Sequence, residues 1–322
     1  LDDDELLAKV LLAKGATDLV AGRLDEALAA FEASRDLFRR RYGDRHSGVA
    51  MASNNIAVAH ARLGHFDDIA VSFKAALDAS RELLGPDHPD TLMIAGNLGA
   101  AYFQARDFEH AQPILEETLA RKEALVGPEH PEVAVILLSL GALHQLRAEL
   151  SGDRGELDQA RDLLERALAI RERALGPDNT RTAYVLTAIG ETYNERGEHA
   201  KARDLLARGD AIYVANGELE TPNRAFILAR LGRAISDGGD PRAALSVLEH
   251  ALAIHRASPS QPEEGAYTRF QLARALARAS QRPADRRRAR ELAEEARALY
   301  AENARVFDVE VKRVDAWLAD ER

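Results

Sequence analysis

The chain of 322 residues contains no cysteine, and aromatic residues make up only 5% of it, with a single Trp. The absence of cysteine excludes disulfide bonds, Cys-ligated zinc, iron–sulfur clusters and a cysteine nucleophile. Long apolar runs are also missing. The longest uncharged stretch near the middle, Val133 to Leu146, has 14 residues, whereas a membrane-spanning helix needs roughly 20. No basic segment precedes an apolar core at the start, so we expect no signal peptide, no membrane partner and a cytoplasmic location. Residue 1 is Leu rather than Met, which suggests a piece of a longer polypeptide.

Positive charge is also in deficit, with 43 Lys and Arg against 53 Asp and Glu and a formal net charge of −10. One basic run, from Arg282 to Arg290, has the charge that a nucleic-acid site needs. However, it lacks interleaved aromatic residues that would stack on bases. Three acidic residues follow it directly and can pair with its arginines along a helix: Glu291, Glu294 and Glu295. We therefore expect no nucleic-acid partner.

Signatures of catalysis are absent from the sequence. Gly238-Gly239 is a lone pair without the spacing of a phosphate-binding loop, and no Gly-x-Ser-x-Gly elbow occurs. His88 and His130 lie 42 residues apart in equivalent turns, and such duplication favours a structural role over a catalytic one. No pair of histidines has the i, i+4 spacing of two metal ligands on one helix face. We expect no enzyme activity, no cofactor and no metal site; an enzyme built on a helical array is the least favoured alternative.

A repeat organises the chain. Two markers step along it by 42 residues and share one longer step of 49, which indicates a seven-residue insertion in the fourth repeat. The glycine marker is Gly43, Gly85, Gly127, Gly176 and Gly217, whose last step is 41 residues, and the second-helix marker is Ala27, Ile69, Ala111, Ala160, Ala202, Ala244 and Ala289. We place the insertion as a loop between Glu149 and Arg154.

Each repeat reads as two helices. Apolar residues three and four apart predict a helix over each half, and Gly-Pro pairs such as Gly127-Pro128 end the second one. Small residues recur at one register of the first helix, where we expect them to face the marker alanine of the second helix and allow close packing: Gly99, Gly141, Gly190 and Gly232.

The phrases Asn54-Asn55-Ile56-Ala57 and Leu84-Gly85-Pro86-Asp87-His88-Pro89-Asp90-Thr91 resemble tetratricopeptide repeats of the kinesin-light-chain type. This resemblance implies an all-α fold, a right-handed superhelical solenoid of about seven helix–turn–helix units with a C-terminal capping helix. The array covers residues 1–300 and the capping helix 301–322. The predicted units are 5–46, 47–88, 89–130, 131–179, 180–221, 222–262 and 263–300. In the capping helix, apolar residues share one face, with Trp317 beside them as a core contact: Phe307, Val311, Val314 and Leu318.

The resemblance further implies that first helices line a concave groove that binds extended peptides. Equivalent positions of successive first helices, with their neighbours, then give the candidate groove residues: Met51, Asn54, Asn55, Met93, Asn97, Tyr184, Glu191, Phe226, Arg230, Arg233, Tyr267, Arg274 and Arg278. Amides can bond a peptide backbone, and Met adapts to varied side chains. The four arginines predict a preference for acidic ligands in the C-terminal half. A competing interpretation is that the Met and aromatic positions only pack neighbouring helices together.

The leading functional hypothesis is a non-catalytic scaffold that binds a protein or peptide. The composition is loosely similar to tetratricopeptide tails of large bacterial serine/threonine kinases. That similarity implies a signalling polypeptide in which a kinase domain is a partner in the same chain. A structural self-assembly module is the alternative.

Overall fold

A computed structural model describes residues 3–63, 66–257 and 262–320. Within these ranges the chain forms fifteen α-helices and no strand, which confirms the all-α prediction. The helices are α1 (Asp3–Val20), α2 (Leu24–Tyr42), α3 (Ser47–Leu63), α4 (Phe66–Leu84), α5 (Pro89–Gln104), α6 (Phe108–Val126), α7 (Pro131–Ser151), α8 (Arg154–Leu175), α9 (Thr180–Glu195), α10 (His199–Ala215), α11 (Pro222–Asp237), α12 (Pro241–Ala257), α13 (Pro262–Ala279), α14 (Pro283–Ala301) and α15 (Ala304–Asp320).

The chain forms two compact units, Leu1–Leu143 and His144–Arg322, here called unit 1 and unit 2. Inside each unit, helices that follow one another along the chain pack as hairpins, for example α1 on α2 and α13 on α14. The odd-numbered helices α1 to α13 are the first helices of the repeats, and the even-numbered ones are the second helices. The division into a seven-repeat array and a capping helix stays a prediction.

Glycines with positive φ end the second helices, as the sequence predicts. Gly127 has φ 88°, and its N–H donates to the carbonyl of Glu123 at 2.9 Å. The next helix begins with a side-chain cap: Nδ1 of His88 and of His130 accepts from the backbone N–H two residues later, at 3.2 and 3.3 Å. Asn179 does the same at the start of α9. Capping of an otherwise unpaired N–H explains why the two histidines occupy the same position.

The close helix packing depends on glycine, and the nearest side chain is a leucine of the second helix. A Cβ built on Gly99 would lie 2.6 Å from Cγ of Leu115, and one on Gly232 would lie 2.4 Å from Cγ of Leu248. The Cβ on Gly99 would also lie 3.6 Å from the backbone carbonyl oxygen of Ala111, so Gly99 faces its marker alanine as predicted. The tighter contact, which the sequence did not indicate, is with the leucine one helical turn further on.

The insertion in the fourth repeat lengthens two helices instead of forming a loop. α7 and α8 have 21 and 22 residues and are the longest helices described. Only Gly152 and Asp153 separate them, and Asp153 caps α8 by accepting from the N–H of Gly155 at 2.8 Å. The loop predicted from Glu149 to Arg154 is wrong, because the inserted residues continue the helical hydrogen bonding.

α7 has the length and hydropathy of a membrane-crossing helix, yet half of its apolar stretch is buried inside the structure.

The C-terminal helix α15 covers apolar residues of the last repeat. Val314 is completely buried in a cluster with residues of α12, α13 and α14. The ring of Trp317 meets that of Phe270 edge-on, with centroids 5.9 Å apart. α15 bends at Phe307, and Arg313 Nη1 lies 2.6 Å from Oε1 of Glu149 in α7. The predicted core contact of Trp317 is confirmed.

A candidate peptide-binding surface

In unit 1, large apolar side chains stand exposed at one register of successive first helices. Met51 of α3 and Met93 of α5 are each 47% exposed, and Val135 of α7 is 53% exposed. They are 42 residues apart and hence occupy equivalent positions. Met51 and Met93 are the only two methionines in the chain. The competing interpretation, that this ladder only packs helices together, does not account for such exposure in unit 1.

Beside the methionines, three amides form a chain between two repeats. Nδ2 of Asn97 donates to Oδ1 of Asn54 at 3.0 Å, and Nδ2 of Asn54 donates to Oδ1 of Asn55 at 3.2 Å. Asn54 is buried, while Asn55 and Asn97 are partly exposed. Among the described residues, the amide N–H groups of Asn55 and the oxygen of Asn97 keep no partner. The arrangement fixes Asn55 and Asn97 in place and leaves a donor and an acceptor for a ligand.

In unit 2, the same register carries aromatic residues that pack on each other and on an arginine. Tyr184 is 51% exposed, and its ring stacks on that of Phe226 at 5.8 Å between centroids. The guanidinium carbon of Arg230 lies 3.6 Å from the ring centre of Phe226 and 4.3 Å from that of Tyr267. Phe226 and Tyr267 therefore serve helix packing, as the competing interpretation has it, and Tyr184 also offers an open aromatic surface.

Arg230 is not an open donor, which corrects the expectation from the sequence. It is 8% exposed, and its Nε lies 3.0 Å from Oε1 of Glu191 while Nη2 lies 3.1 Å from Oε1 of Glu264. Burial alone would lower the pKa of Arg230, but the two carboxylates outweigh it and raise that pKa above its ordinary value. The guanidinium stays charged and is fully occupied within the protein.

The other three arginines converge on Asp237, at the C-terminal end of α11. Asp237 lies 3.3 Å from Arg233, 3.4 Å from Arg274 and 2.9 Å from Arg278. Burial raises the pKa of Asp237, but the neighbouring arginines outweigh this effect and lower it overall. Arg233 also pairs with Glu195 at 2.6 Å. Asp237 was not predicted from the sequence, although its position four residues after Arg233 on the same helix indicates such a pair.

A cavity of about 530 Å³ opens beside this cluster. Its lining is His199, Asp237, Arg274, Ala277, Arg278 and Trp317. Arg274 and Arg278 keep 31% and 43% of their side chains exposed, so they are the accessible arginines of the cluster. Over the whole region, four arginines face four carboxylates: Glu191, Glu195, Asp237 and Glu264. A preference for acidic ligands stays a prediction, and it concerns only the arginines at the cavity.

Within the described ranges, no group of three or more His, Asp or Glu side chains is placed to hold a metal ion.

A sequence model of the tetratricopeptide repeat matches residues 6–70, 71–124 and 142–213, which is more than half of the chain. The chain belongs to the tetratricopeptide repeat family. Tetratricopeptide repeat proteins generally act as scaffolds for protein interactions. The paired helices, and the positive-φ glycines that end the second helices, agree with that assignment.

Solved structures of other proteins are similar to this chain, and the first two named here share its fold. The apo form of RapI is 15% identical, with a TM-score of 0.69 over 92% of this chain and 99% of RapI. A tetratricopeptide repeat protein from Parabacteroides merdae is 14% identical, with a TM-score of 0.61 over 96% of this chain and 99% of that protein. A putative kinesin light chain from Podosopora anserina is 20% identical, with a TM-score of 0.37 over 79% and 95% of the two chains. No curated protein matches the chain.

Proposed function

We propose that this tetratricopeptide repeat protein is a non-catalytic scaffold that binds an extended segment of a partner protein on the first-helix face of unit 1. The observation that carries the proposal is the half-exposed pair Met51 and Met93 beside the amides Asn55 and Asn97. An extended segment presents backbone N–H and C=O groups between side chains that point to alternate sides. The amides pair with that backbone, and the methionines contact its apolar side chains.

The chemistry of unit 1 favours an uncharged ligand segment at this place. Met51, Asn55, Met93 and Asn97 carry no charge, so a charged ligand side chain would lose hydration there without gaining an ionic partner. Methionine is flexible and polarisable, so it can contact apolar ligand side chains of different shapes. We therefore expect a consensus of apolar residues with little charge.

In unit 2 we propose a second contact region formed by Tyr184 and the cavity beside Arg274 and Arg278. An acidic side chain of the ligand would share these arginines with Asp237. The acidic side chain would raise the affinity for the ligand only modestly, because the ion pair between these arginines and Asp237 must open first. Membership of a larger signalling polypeptide with a kinase domain as partner stays a prediction from resemblance.

Selection from a peptide library tests the proposal on the wild type and on the double variant Met51→Ser, Met93→Ser. We expect the wild type to select apolar, extended peptides and the variant to bind them at least tenfold more weakly. The matched control is Val71→Ser, which removes an apolar side chain that is 70% exposed on α4, a second helix. It should bind like the wild type.

Equal peptide binding by the wild type and the double variant would overturn the proposal. Light scattering against protein concentration examines the rival self-assembly function. A monomer that binds peptide supports the scaffold function. If instead the molar mass rises with protein concentration, and the double variant abolishes that rise, the surface of Met51 and Met93 serves self-assembly.

A further inference from the structure

An ion pair between the third and fourth repeats has no equivalent between the fourth and fifth. Lys122 of α6 is buried, and its Nζ lies 2.6 Å from Oε2 of Glu132 at the start of α7. The positions 49 residues later, which the repeat makes equivalent, are Arg171 of α8 and Arg181 of α9. The cation is kept there, but a second cation replaces the carboxylate.

The structure shows the consequence at Arg171. Its Nε is buried and has no hydrogen-bond partner within the described ranges. In the part of the chain that the structure describes, neither Arg171 nor Arg181 has a carboxylate partner. Burial, and then the charge of Arg181, lower the pKa of Arg171 below its ordinary value. An unpaired, partly buried guanidinium beside a like charge is unfavourable unless an anion joins it.

The place itself attracts anions. Arg181 is the second residue of α9, and its backbone N–H is already held by Oδ1 of Asn179 at 2.9 Å. The N-terminus of this 16-residue helix adds positive potential to the two side chains. The nearby Glu172 is engaged elsewhere, with Arg208 at 2.7 Å. The two arginine charges at the junction of α8 and α9 therefore have no carboxylate partner among the residues that the structure describes.

We propose that Arg171 and Arg181 form a binding site for a phosphate monoester dianion. A monoester carries a charge of about −1.5 to −2 at pH 7, which matches two arginines better than a single carboxylate does. Its oxygens accept the paired N–H groups of planar guanidinium side chains, and the buried Nε of Arg171 gains a partner. This site is separate from the peptide surface of unit 1, and the proposal goes beyond the scaffold function.

The decisive variant is Arg181→Glu, which rebuilds the cation–carboxylate pair seen at Lys122 and Glu132. Binding is measured by calorimetric titration and by thermal unfolding, both at constant ionic strength. The probes are inorganic phosphate, with chloride as its reference, and a phosphoserine peptide, with the unphosphorylated peptide as its reference. We expect both phosphate probes to raise the unfolding midpoint of the wild type. We expect the variant to bind them at least tenfold more weakly and to unfold at no lower a temperature in chloride.

The control is Arg203→Glu, which replaces an exposed arginine of α10 that pairs with its neighbour Asp204 at 3.0 Å. It makes the same change of net charge and should bind phosphate like the wild type. A stronger response to the phosphoserine peptide identifies a phosphorylated protein as the source, and an equal response identifies free phosphate. The proposal is overturned if the wild type binds neither probe, or if Arg181→Glu binds as well as Arg203→Glu. Arg181→Gln repeats the comparison should the glutamate variant fail to fold.

Discussion

Arg230 of α11 and Glu191 of α9 form an ion pair of 3.0 Å that joins two repeats in a buried setting. Glu264 of α13 completes the arrangement from the other side, and the rings of Phe226 and Tyr267 cover the guanidinium. The three helices α9, α11 and α13 thus share one cation. Because each repeat contacts mainly its neighbours, such a shared group couples repeats that would otherwise unfold separately.

Substitution Arg230→Leu should destabilise unit 2 strongly. It leaves the carboxylates of Glu191 and Glu264 without their cation, and loss of one partner of a buried ionic group costs about 3–5 kcal/mol. The matched control is Arg278→Leu, whose side chain is 43% exposed and whose ion pair should contribute less than about 1 kcal/mol. Urea unfolding of both variants measures the difference. Similar losses in the two variants would show that burial of Arg230 has no energetic weight.

Two glycines of α5 allow a sharper test of helix packing. A Cβ on Gly99 would collide with Leu115 at 2.6 Å, whereas one on Gly96 would meet Thr118 Cγ2 at 4.0 Å, an ordinary contact. Gly99→Ala should therefore lower the free energy of unfolding by about 1–3 kcal/mol through overpacking. Gly96→Ala should raise it by about 0.5–1 kcal/mol, since alanine loses less backbone entropy in a helix. The changes in the free energy of unfolding should therefore have opposite signs in the two variants. Changes of the same sign would contradict the packing described for Gly99.

The sequence predicted the features that repeat and missed those that do not. The 42-residue period and the positive-φ glycines were readable because the same local chemistry returns in each unit. The partners of Arg230 were not, because Glu191 and Glu264 lie 39 and 34 residues away in two different repeats. The inserted residues around Glu149 were misplaced for a related reason. The inserted residues extend α7 and α8, whereas a change in the period gives their number and not their conformation.

His255 should make stability depend on pH. It is 4% exposed on α12, and its Nε2 has no hydrogen-bond partner among the described residues. Burial lowers its pKa below the ordinary value of 6.5. Of the charged groups that face it, Glu264 opposes this shift, while Arg230 and Arg269 add to it. The unfolded chain then binds the proton more readily than the folded one. Stability should therefore fall as the pH drops from about 6.5 towards the lowered value, by at most about 1.4 kcal/mol per pH unit.

Urea unfolding at several pH values, with His255→Gln as the variant, measures this contribution. The variant should lose the dependence between the two pKa values, because glutamine does not titrate. His250→Gln is the control: His250 is partly exposed near Glu220 at 3.1 Å, and its replacement should leave the contribution of His255 in place. An unchanged slope in His255→Gln would assign the pH dependence to other groups.

Removal of α15 should destabilise the last repeat and lower solubility. Truncation after Asn303 uncovers the apolar cluster that Val314 completes, and Trp317 no longer covers Phe270. Newly exposed apolar surface of this kind promotes association. The point variant Val314→Asp places a charge in the same cluster and should lower the unfolding midpoint as well. Arg313→Ala, which removes only the partly exposed contact with Glu149, should change stability by less than about 1 kcal/mol. Thermal unfolding and sedimentation of the three proteins decide the matter, and an unaltered midpoint and solubility of the truncated chain would show that α15 covers no surface on which the fold depends.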